Sequence, residues 1–206
     1  EVVFFDPRKQ LLRELKNKNL PIFEPGLDLL FDKNFNQISF VSEADTLSEC
    51  DIVYYAIDVK TDKTNLADLS QLTELLELTV SSINGPIIIH SQVSVGFCRN
   101  IIERFSLNPI NVFYQVETLI FGKAVDRVLH PERFIIGCFD KKNINATFNN
   151  HLDKFKCPIF YMKYETAELA KMANNMFLVS TVSTTNLLAS ICENVGANWH
   201  DIKESL

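Results

Sequence analysis

The feature that most constrains this chain is the stretch from Glu165 to Val195, which contains neither proline nor glycine. Its larger apolar residues recur at close to the helical period: Leu169, Met172, Met176, Val179, Leu187, Ile191 and Val195. The pattern predicts one helix of roughly 30 residues, about 45 Å long at 1.5 Å per residue. Small residues would let another helix approach closely: Ala167, Ala170, Ala173, Ser180 and Ser183. Because so long a helix overruns a small domain, we expect it to pair with its counterpart in a second subunit, forming a homodimer.

The composition narrows the classes of partner. A net charge of −6 gives no reason to expect binding to nucleic acid or to an anionic membrane. Nearly half of the residues are hydrophobic, enough for a core, yet no apolar run approaches membrane-spanning length. The five cysteines are odd in number and widely scattered, which favours reduced thiols in the cytoplasm over a disulfide framework. No His or Cys cluster has metal-ligand spacing, so no metal site is expected.

Short apolar runs alternate with amphipathic stretches upstream of the long helix. The run from Pro86 to His90 is typical of a buried strand, whereas Asp68 to Ser82 carries leucines on one helical face. We also predict a helix from Leu119 to Leu129. This alternation predicts an α/β fold, with a Rossmann-like parallel sheet covered by helices on both faces. We assign this domain to residues 1–163, followed by the start of a central helical dimerisation domain in residues 164–206.

Asp6 follows the first apolar strand, where dinucleotide-binding folds place an acid that binds the ribose hydroxyls. The Gly-rich phosphate loop of such folds lies about twenty residues upstream, which here is before residue 1. The chain also opens in an apolar strand and has no initiator Met. We therefore expect a fragment whose nucleotide-binding domain is incomplete at its N-terminus. Taken alone, an Asp after a strand is more often a turn or capping residue.

Six segments spread along the chain resemble the motifs of one known family. They are PIFEPGLDLL from Pro21, SQVSVG from Ser91, QVETLIFGKAVD from Gln115, PERFIIG from Pro131, AELAKMANNMFL from Ala167, and CENVGAN from Cys192. With these segments, and with the spacing from Asp6 to Pro21, the chain resembles the UDP-glucose/GDP-mannose 6-dehydrogenases. The first and fifth segments are the most specific.

The resemblance implies NAD-dependent oxidation of a nucleotide sugar at its primary alcohol to the uronic acid, a reaction of polysaccharide biosynthesis. By position, Lys171 would stabilise an oxyanion, a task that suits a fixed ammonium in a water-poor site. Asn175, one turn further on, would hydrogen-bond beside it. Glu117 would assist the attack of water on a thioester. Thr118 and Leu119 would contact the substrate together with Lys171 and Asn175.

The implied cofactor is NAD, which Asp6 and Ser91 would contact. The family's catalytic cysteine is expected after Leu206, because none of the five cysteines present matches it. Cys192, on the long helix, is interpreted as a packing residue. Without the Gly-rich loop and the catalytic thiol, we expect the chain alone to be catalytically inactive.

Three positions depart from the family's pattern. Val59 replaces a threonine that helps to bind NAD, Gln92 replaces a threonine that positions a water, and Phe121 replaces a loop glutamate near the cofactor. Each change removes a polar partner, although Gln92 could still orient water through its amide. We expect weakened NAD binding, made worse by the charge of Asp58, unless Lys60 and Gln92 rebuild the site.

Alternatives stay open at this level. The related β-hydroxyacid dehydrogenases also carry a Lys followed by Asn-Asn on a central helix, and there Lys171 would be a general acid or base. A non-catalytic homologue could keep the fold to bind a nucleotide sugar or a partner subunit. A globular α/β domain could also retain no site at all.

Overall fold

The structure is a computed structural model that describes residues 1–61 and 66–205. It divides into two compact units, Glu1–Glu168 and Leu169–Leu206. The helices and strands follow in chain order: β1 (Val2–Phe5), α1 (Lys9–Lys16), α2 (Leu27–Asn34), β2 (Ile38–Val41), β3 (Val53–Tyr55), α3 (Ser70–Thr79), β4 (Ile87–Ile89), α4 (Phe97–Arg104), β5 (Val112–Gln115), α5 (Ala124–Leu129), β6 (Phe134–Cys138), α6 (Ala146–Asp153), β7 (Ile159–Lys163), α7 (Tyr164–Val195) and α8 (Trp199–Ser205). Short 3₁₀ turns lie at Phe35–Gln37, Ala44–Glu49, Val80–Ser82 and Pro109–Asn111.

The strands form two sheets. β1 pairs with β2 in parallel, and a second sheet has the order β3-β4-β5-β6-β7. Its first three strands are parallel, β6 runs antiparallel to β5, and β7 is parallel to β6. The predicted α/β architecture is confirmed, but the sheet is mixed at β6. The sequence could not show this because a short apolar run has the same pattern in either direction.

Helices cover both faces of the five-stranded sheet. Along β4, Ile87 and Ile89 point into one buried cluster and Ile88 into the other, as the alternation of strand side chains requires. The first cluster packs against α3 and α4, for example through Leu72. The second packs against α6 through Phe148, whose ring centroid lies 4.5 Å from that of Phe113.

Gly137 marks the closest approach of β6 to the start of α7. A methyl group added there would lie 3.0 Å from Cβ of Ala167, 3.1 Å from Cβ of Tyr114 and 3.2 Å from Cα of Tyr164. The Tyr164 hydroxyl donates to the carbonyls of Pro109 and Val112, at 2.9 and 2.8 Å. The glycine therefore lets the beginning of α7 lie directly on the sheet.

A cavity of about 1380 Å³ is lined by both β1 and β3. β1 uses one edge to pair with β2, and β3 uses one edge to pair with β4. Among the described residues, the other edge of each strand pairs with no further strand, and both strands line this cavity. It also reaches Asp6, Arg8, Asp58 and Lys60, beyond the carboxyl ends of the two strands.

The helix predicted from Leu119 to Leu129 is wrong in its first half. α5 spans only Ala124–Leu129, and the residues between β5 and α5 form a loop. Gly122 has φ of +81°, a left-handed conformation that a helix does not contain. The apolar residues Leu119, Ile120 and Phe121 are exposed instead of facing the core, so no burial favours a helix there.

In the second unit, most of α7 exposes its large apolar residues. Cys192 is buried, in agreement with its interpretation as a packing residue. Asn198 caps α8, since its Oδ1 accepts from the N–H of His200 at 3.0 Å. Among the described residues, Tyr164–Val195 is one helix long and apolar enough to cross a membrane by length and composition. The sequence analysis did not identify this helix as long and apolar enough to span a membrane, because Asn, Ser and Thr interrupt its apolar residues.

Candidate functional site

The candidate site lies at the carboxyl ends of the parallel strands. Asp6 follows β1, Val59 lies in the loop after β3, Ser91 and Gln92 follow β4, and Glu117 follows β5. In parallel α/β sheets, ligands bind at this edge because the loops from successive strands meet there.

Asp6 is held by Arg8 in a two-pronged contact. The guanidinium donates from Nε to Oδ1 at 2.9 Å and from Nη2 to Oδ2 at 2.8 Å, and the Arg8 backbone N–H adds a third bond. Burial raises the pKa of Asp6, but the hydrogen bonds and charge of Arg8 outweigh burial and leave the pKa below its usual value. The carboxylate is therefore ionised at neutral pH and fixed in direction.

Ser91 joins the loop after β3 to the turn after β4. Its hydroxyl donates to the carbonyl of Ile57 at 2.7 Å and accepts from the N–H of Ile57 at 3.0 Å, and the residue is only 3% exposed. Its contact with a cofactor stays a prediction. Val59 is half-buried, whereas Asp58 and Lys60 are exposed on either side of it.

The turn after β4 is anchored by Glu168, a residue that the sequence analysis did not single out. Its carboxylate accepts from the N–H groups of Gly96 and Cys98, at 2.6 and 2.9 Å, and Glu168 is fully buried. Burial, and then the charge of Glu168, raises the pKa of Cys98, so this thiol stays protonated. A buried acid within AELAKMANNMFL was the signal that could have identified this anchor.

The loop of residues 116–123, here called the β5–α5 loop, carries four of the predicted site residues. The Glu117 carboxylate accepts from the N–H of Leu119, and Thr118 is exposed. Phe121 is fully exposed, so its ring fills no space inside the first unit. Glu24, from the PIFEPGL segment, accepts from the N–H of Gly122 in this loop at 3.0 Å and from that of Ala124, the first residue of α5, at 2.7 Å.

A smaller pocket of about 280 Å³ adjoins the β5–α5 loop. It is lined by Tyr54, His90, Gln115, Thr118, Leu119 and His151 among others. The Tyr54 hydroxyl donates to Oε1 of Gln115 at 3.2 Å, and burial raises the pKa of Tyr54. Burial, followed by the charge of Lys154, lowers the pKa of His151. The sequence analysis did not identify these polar groups as a site, because they come from β3, β5, α6 and the residue after β4, which are far apart in sequence.

Lys171 and Asn175 belong to the second unit, on α7. Lys171 is half-buried and Asn175 is exposed. Their spacing of four residues puts them on one helical face, as predicted. Within the part of the chain that the structure describes, no group of three or more His, Cys, Asp or Glu side chains could hold a metal ion.

Comparisons with known proteins give a consistent result along the chain. Residues 1–155 match the family model of the UDP-glucose/GDP-mannose dehydrogenase family, NAD binding domain, and residues 165–206 match that family's central domain. The chain is 31% identical over 216 residues to UDP-glucose 6-dehydrogenase TuaD of Bacillus subtilis (strain 168), covering all of this chain and 47% of the relative. It is 30% identical over 195 residues to UDP-glucose 6-dehydrogenase YwqF of the same organism, covering 90% and 44%. The chain thus spans about half the length of these relatives.

Solved structures show the same fold. A ternary complex of GDP-mannose dehydrogenase from Pseudomonas aeruginosa superposes with a TM-score of 0.88 at 19% identity, covering all of this chain and 50% of that chain. A UDP-glucose dehydrogenase from Pyrobaculum islandicum gives a TM-score of 0.85 at 22% identity, covering 98% and 50%. At these identities the likeness concerns the fold alone.

Proposed function

This chain belongs to the UDP-glucose/GDP-mannose dehydrogenase family, and we propose that the protein oxidises the primary alcohol of a nucleotide sugar to the carboxylate with two NAD as oxidants. The observation that carries the proposal is the position of Asp6. Its ionised carboxylate lies at the carboxyl end of β1 and lines a cavity shared with the loop after β3. That is where a dinucleotide-binding fold receives the ribose of its cofactor.

The residues at this edge offer both a hydrogen-bond acceptor and cationic groups, as a dinucleotide requires. Asp6 would accept from the ribose hydroxyls, while Lys60 and Arg8 line the same cavity and could face the phosphates. Ser91 would fix the loop after β3 beneath the cofactor through its two bonds to Ile57. When bound, NAD supplies the hydride acceptor for each of the two oxidations.

The proposed reaction needs groups that handle charge on oxygen. We assign Lys171 to the developing oxyanion and Asn175 to a hydrogen bond beside it, since a preorganised donor stabilises such charge strongly in a site without water. Glu117 is assigned to assisting the water that hydrolyses a thioester between the oxidised sugar and the catalytic cysteine of the full-length protein, which releases the carboxylate and the thiol. Thr118 and Leu119 are assigned to contacts with the substrate. The conservation of atoms requires one water for each alcohol converted to carboxylate.

We further propose that the protein is a cytoplasmic homodimer paired through α7. All five cysteines, which lie among the described residues, are free thiols, and this supports the proposal of a reducing compartment. The exposed apolar residues of α7 include Leu178 and Val182, and Ser183 beside them is small and exposed. Asn175, Thr181 and Asn186 interrupt the apolar surface, and polar side chains of this kind can hydrogen-bond to a second helix.

The experiment is the formation of NADH, followed at 340 nm, by the full-length protein with UDP-glucose, UDP-N-acetylmannosamine and GDP-mannose. We expect turnover of one of these sugars and a loss of about 100-fold or more in Lys171→Ala. Lys203→Ala, an exposed lysine on α8, is the matched control. No NADH from any of the three sugars, with folding intact, would favour the non-catalytic homologue that the changes at Val59, Gln92 and Phe121 also fit.

A further inference from the structure

Two loops nearly 100 residues apart in sequence are joined by one carboxylate. Glu24 Oε2 accepts from the N–H of Gly122 at 3.0 Å, and Oε1 accepts from the N–H of Ala124 at 2.7 Å. Glu24 is only 7% exposed, although its neighbour Phe23 is 91% exposed. The side chain therefore turns away from solvent toward the β5–α5 loop while the segment around it stays on the surface.

At its start the β5–α5 loop is held to β6, where the N–H of the buried Val116 bonds to the Ile135 carbonyl at 3.0 Å, but its middle lies on the surface. Its apolar residues Leu119, Ile120 and Phe121 are 42%, 48% and 100% exposed. Burial of these side chains therefore contributes little to fixing the loop. The bonds from Leu119 N–H to the Glu117 carboxylate and from Lys123 N–H to the Ile120 carbonyl shape its turns locally. Neither of them ties the loop to the rest of the unit.

Resting on the proposed function, we infer that Glu24 is a positioning residue, whose carboxylate fixes the β5–α5 loop and thereby sets the place of Glu117, Thr118 and Leu119 in the reaction. The chemistry suits the task. An ionised carboxylate offers two acceptor oxygens and makes stronger bonds to N–H groups than a neutral acceptor does. A glutamine of the same size keeps one oxygen and turns an NH₂ group toward the second N–H, so it can satisfy only one of the two.

The test compares Glu24→Gln and Glu24→Asp with the wild type in the full-length protein. Glu14→Gln is the matched control, because Glu14 is exposed on α1 and its Oε1 accepts from Nε2 of Gln10, within the same helix, at 3.1 Å. Hydrogen–deuterium exchange is read at Gly122 and Ala124. In Glu24→Gln we expect about 10- to 100-fold faster exchange at these amides. The amides of Thr147 and Phe148, which Asn145 caps at 3.0 and 3.3 Å, should not change.

Kinetics provide the second measurement. In Glu24→Gln we expect kcat to fall about tenfold or more, with a rise in KM for the nucleotide sugar, because a misplaced catalytic loop loses productive geometry. The affinity for NAD should stay within about twofold, since Asp6 and the loop after β3 are untouched. Glu24→Asp, which keeps the charge but is shorter, should recover part of the loss.

The outcomes separate the two proposals. Unchanged exchange at Gly122 and Ala124 in Glu24→Gln would overturn the positioning role, and so would faster exchange with unchanged kcat and KM. If the wild type oxidises none of the three sugars, the proposed function fails, and the exchange comparison alone then decides whether Glu24 holds the loop. A loss of NAD affinity equal to the loss of turnover would indicate general destabilisation and would also contradict the inference.

Discussion

Val59 and Phe121 occupy two positions that, by the family resemblance, would contact the cofactor. Val59 is half-buried beside the Ser91–Ile57 bonds, and Phe121 is fully exposed on the β5–α5 loop. Neither side chain can replace the hydrogen bonds that a threonine and a glutamate make. A ligand group that loses its partner on burial costs about 1–3 kcal/mol.

We therefore expect the double variant Val59→Thr/Phe121→Glu to bind NAD at least about tenfold more tightly than the wild type. Isothermal titration calorimetry of the full-length protein measures this. Phe139→Glu, at a half-exposed phenylalanine after β6, controls for added surface charge. Unchanged or weaker binding by the double variant would show that Lys60 and Gln92 have rebuilt the site.

Gly137 is a residue at which the backbone packs closely against buried neighbours without adopting a left-handed conformation. In Gly137→Ala, the new methyl group must displace Ala167, Tyr114 or the Tyr164 backbone, all of them buried. We expect the free energy of unfolding to fall by about 1–3 kcal/mol. Urea denaturation checks this against Ser94→Ala, an exposed change expected to stay within about 0.5 kcal/mol. A stability equal to that of the control would mean that β6 and α7 separate without cost.

At the scale of elements, the part of α7 that belongs to the second unit, from Leu169 onward, leaves most of its large apolar side chains exposed. Leu178, Val179 and Val182 are each more than half exposed, whereas Cys192 near its end is buried. Exposed apolar area of this extent is typical of an interaction surface. Because helices in proteins gain most of their stability from the packing of an apolar face, we expect this surface to have a partner.

We expect Ser183→Arg to convert the proposed dimer of the full-length protein to monomers, because an arginine side chain would separate two closely packed helices. Sedimentation velocity at micromolar concentration measures the change. Gln10→Arg, at an exposed position of α1, adds the same charge and should leave the dimer intact. A wild type that sediments as a monomer, or that fractionates with membranes, would refute pairing through α7.

At the scale of the first unit, the separation into two sheets is the main departure from a continuous Rossmann-like sheet. The cavity between β1 and β3 is lined by strands that each use only one edge for pairing. Along β3, the N–H of Val53 bonds to the carbonyl of Pro86 on the β4 side. Because parallel strands alternate the direction of their N–H groups, the N–H of Tyr54 points to the cavity and that of Tyr55 to β4.

We expect the Tyr54 amide of the 206-residue chain to exchange at least about tenfold faster than the Tyr55 amide, since only the second is paired within the sheet. Exchange read by NMR gives the rates of both residues in one sample, so Tyr55 is the internal control. Equal protection would show that the edge of β3 is covered. The cavity described here would then be closed in solution.

Much of the architecture could be read from local patterns. The absence of proline and glycine, together with the apolar period, predicted α7 to within a residue of its start, and the alternation of short strands and helices predicted the α/β fold. Asp6 was placed at the end of β1 for the same reason. These features depend on the preferences of residues that are close together in sequence, so they can be predicted from the sequence alone.

Contacts between distant segments required the folded chain. The direction of β6, the loop in place of a helix before α5, and the anchors formed by Glu24 and Glu168 depend on partners far away in sequence. The apolar residues from Leu119 to Phe121, which we expected in a helix, are exposed in the folded chain. Hydrogen bonds across 98 and 72 residues form only when packing brings their donors and acceptors together, and local propensity carries no information about that encounter.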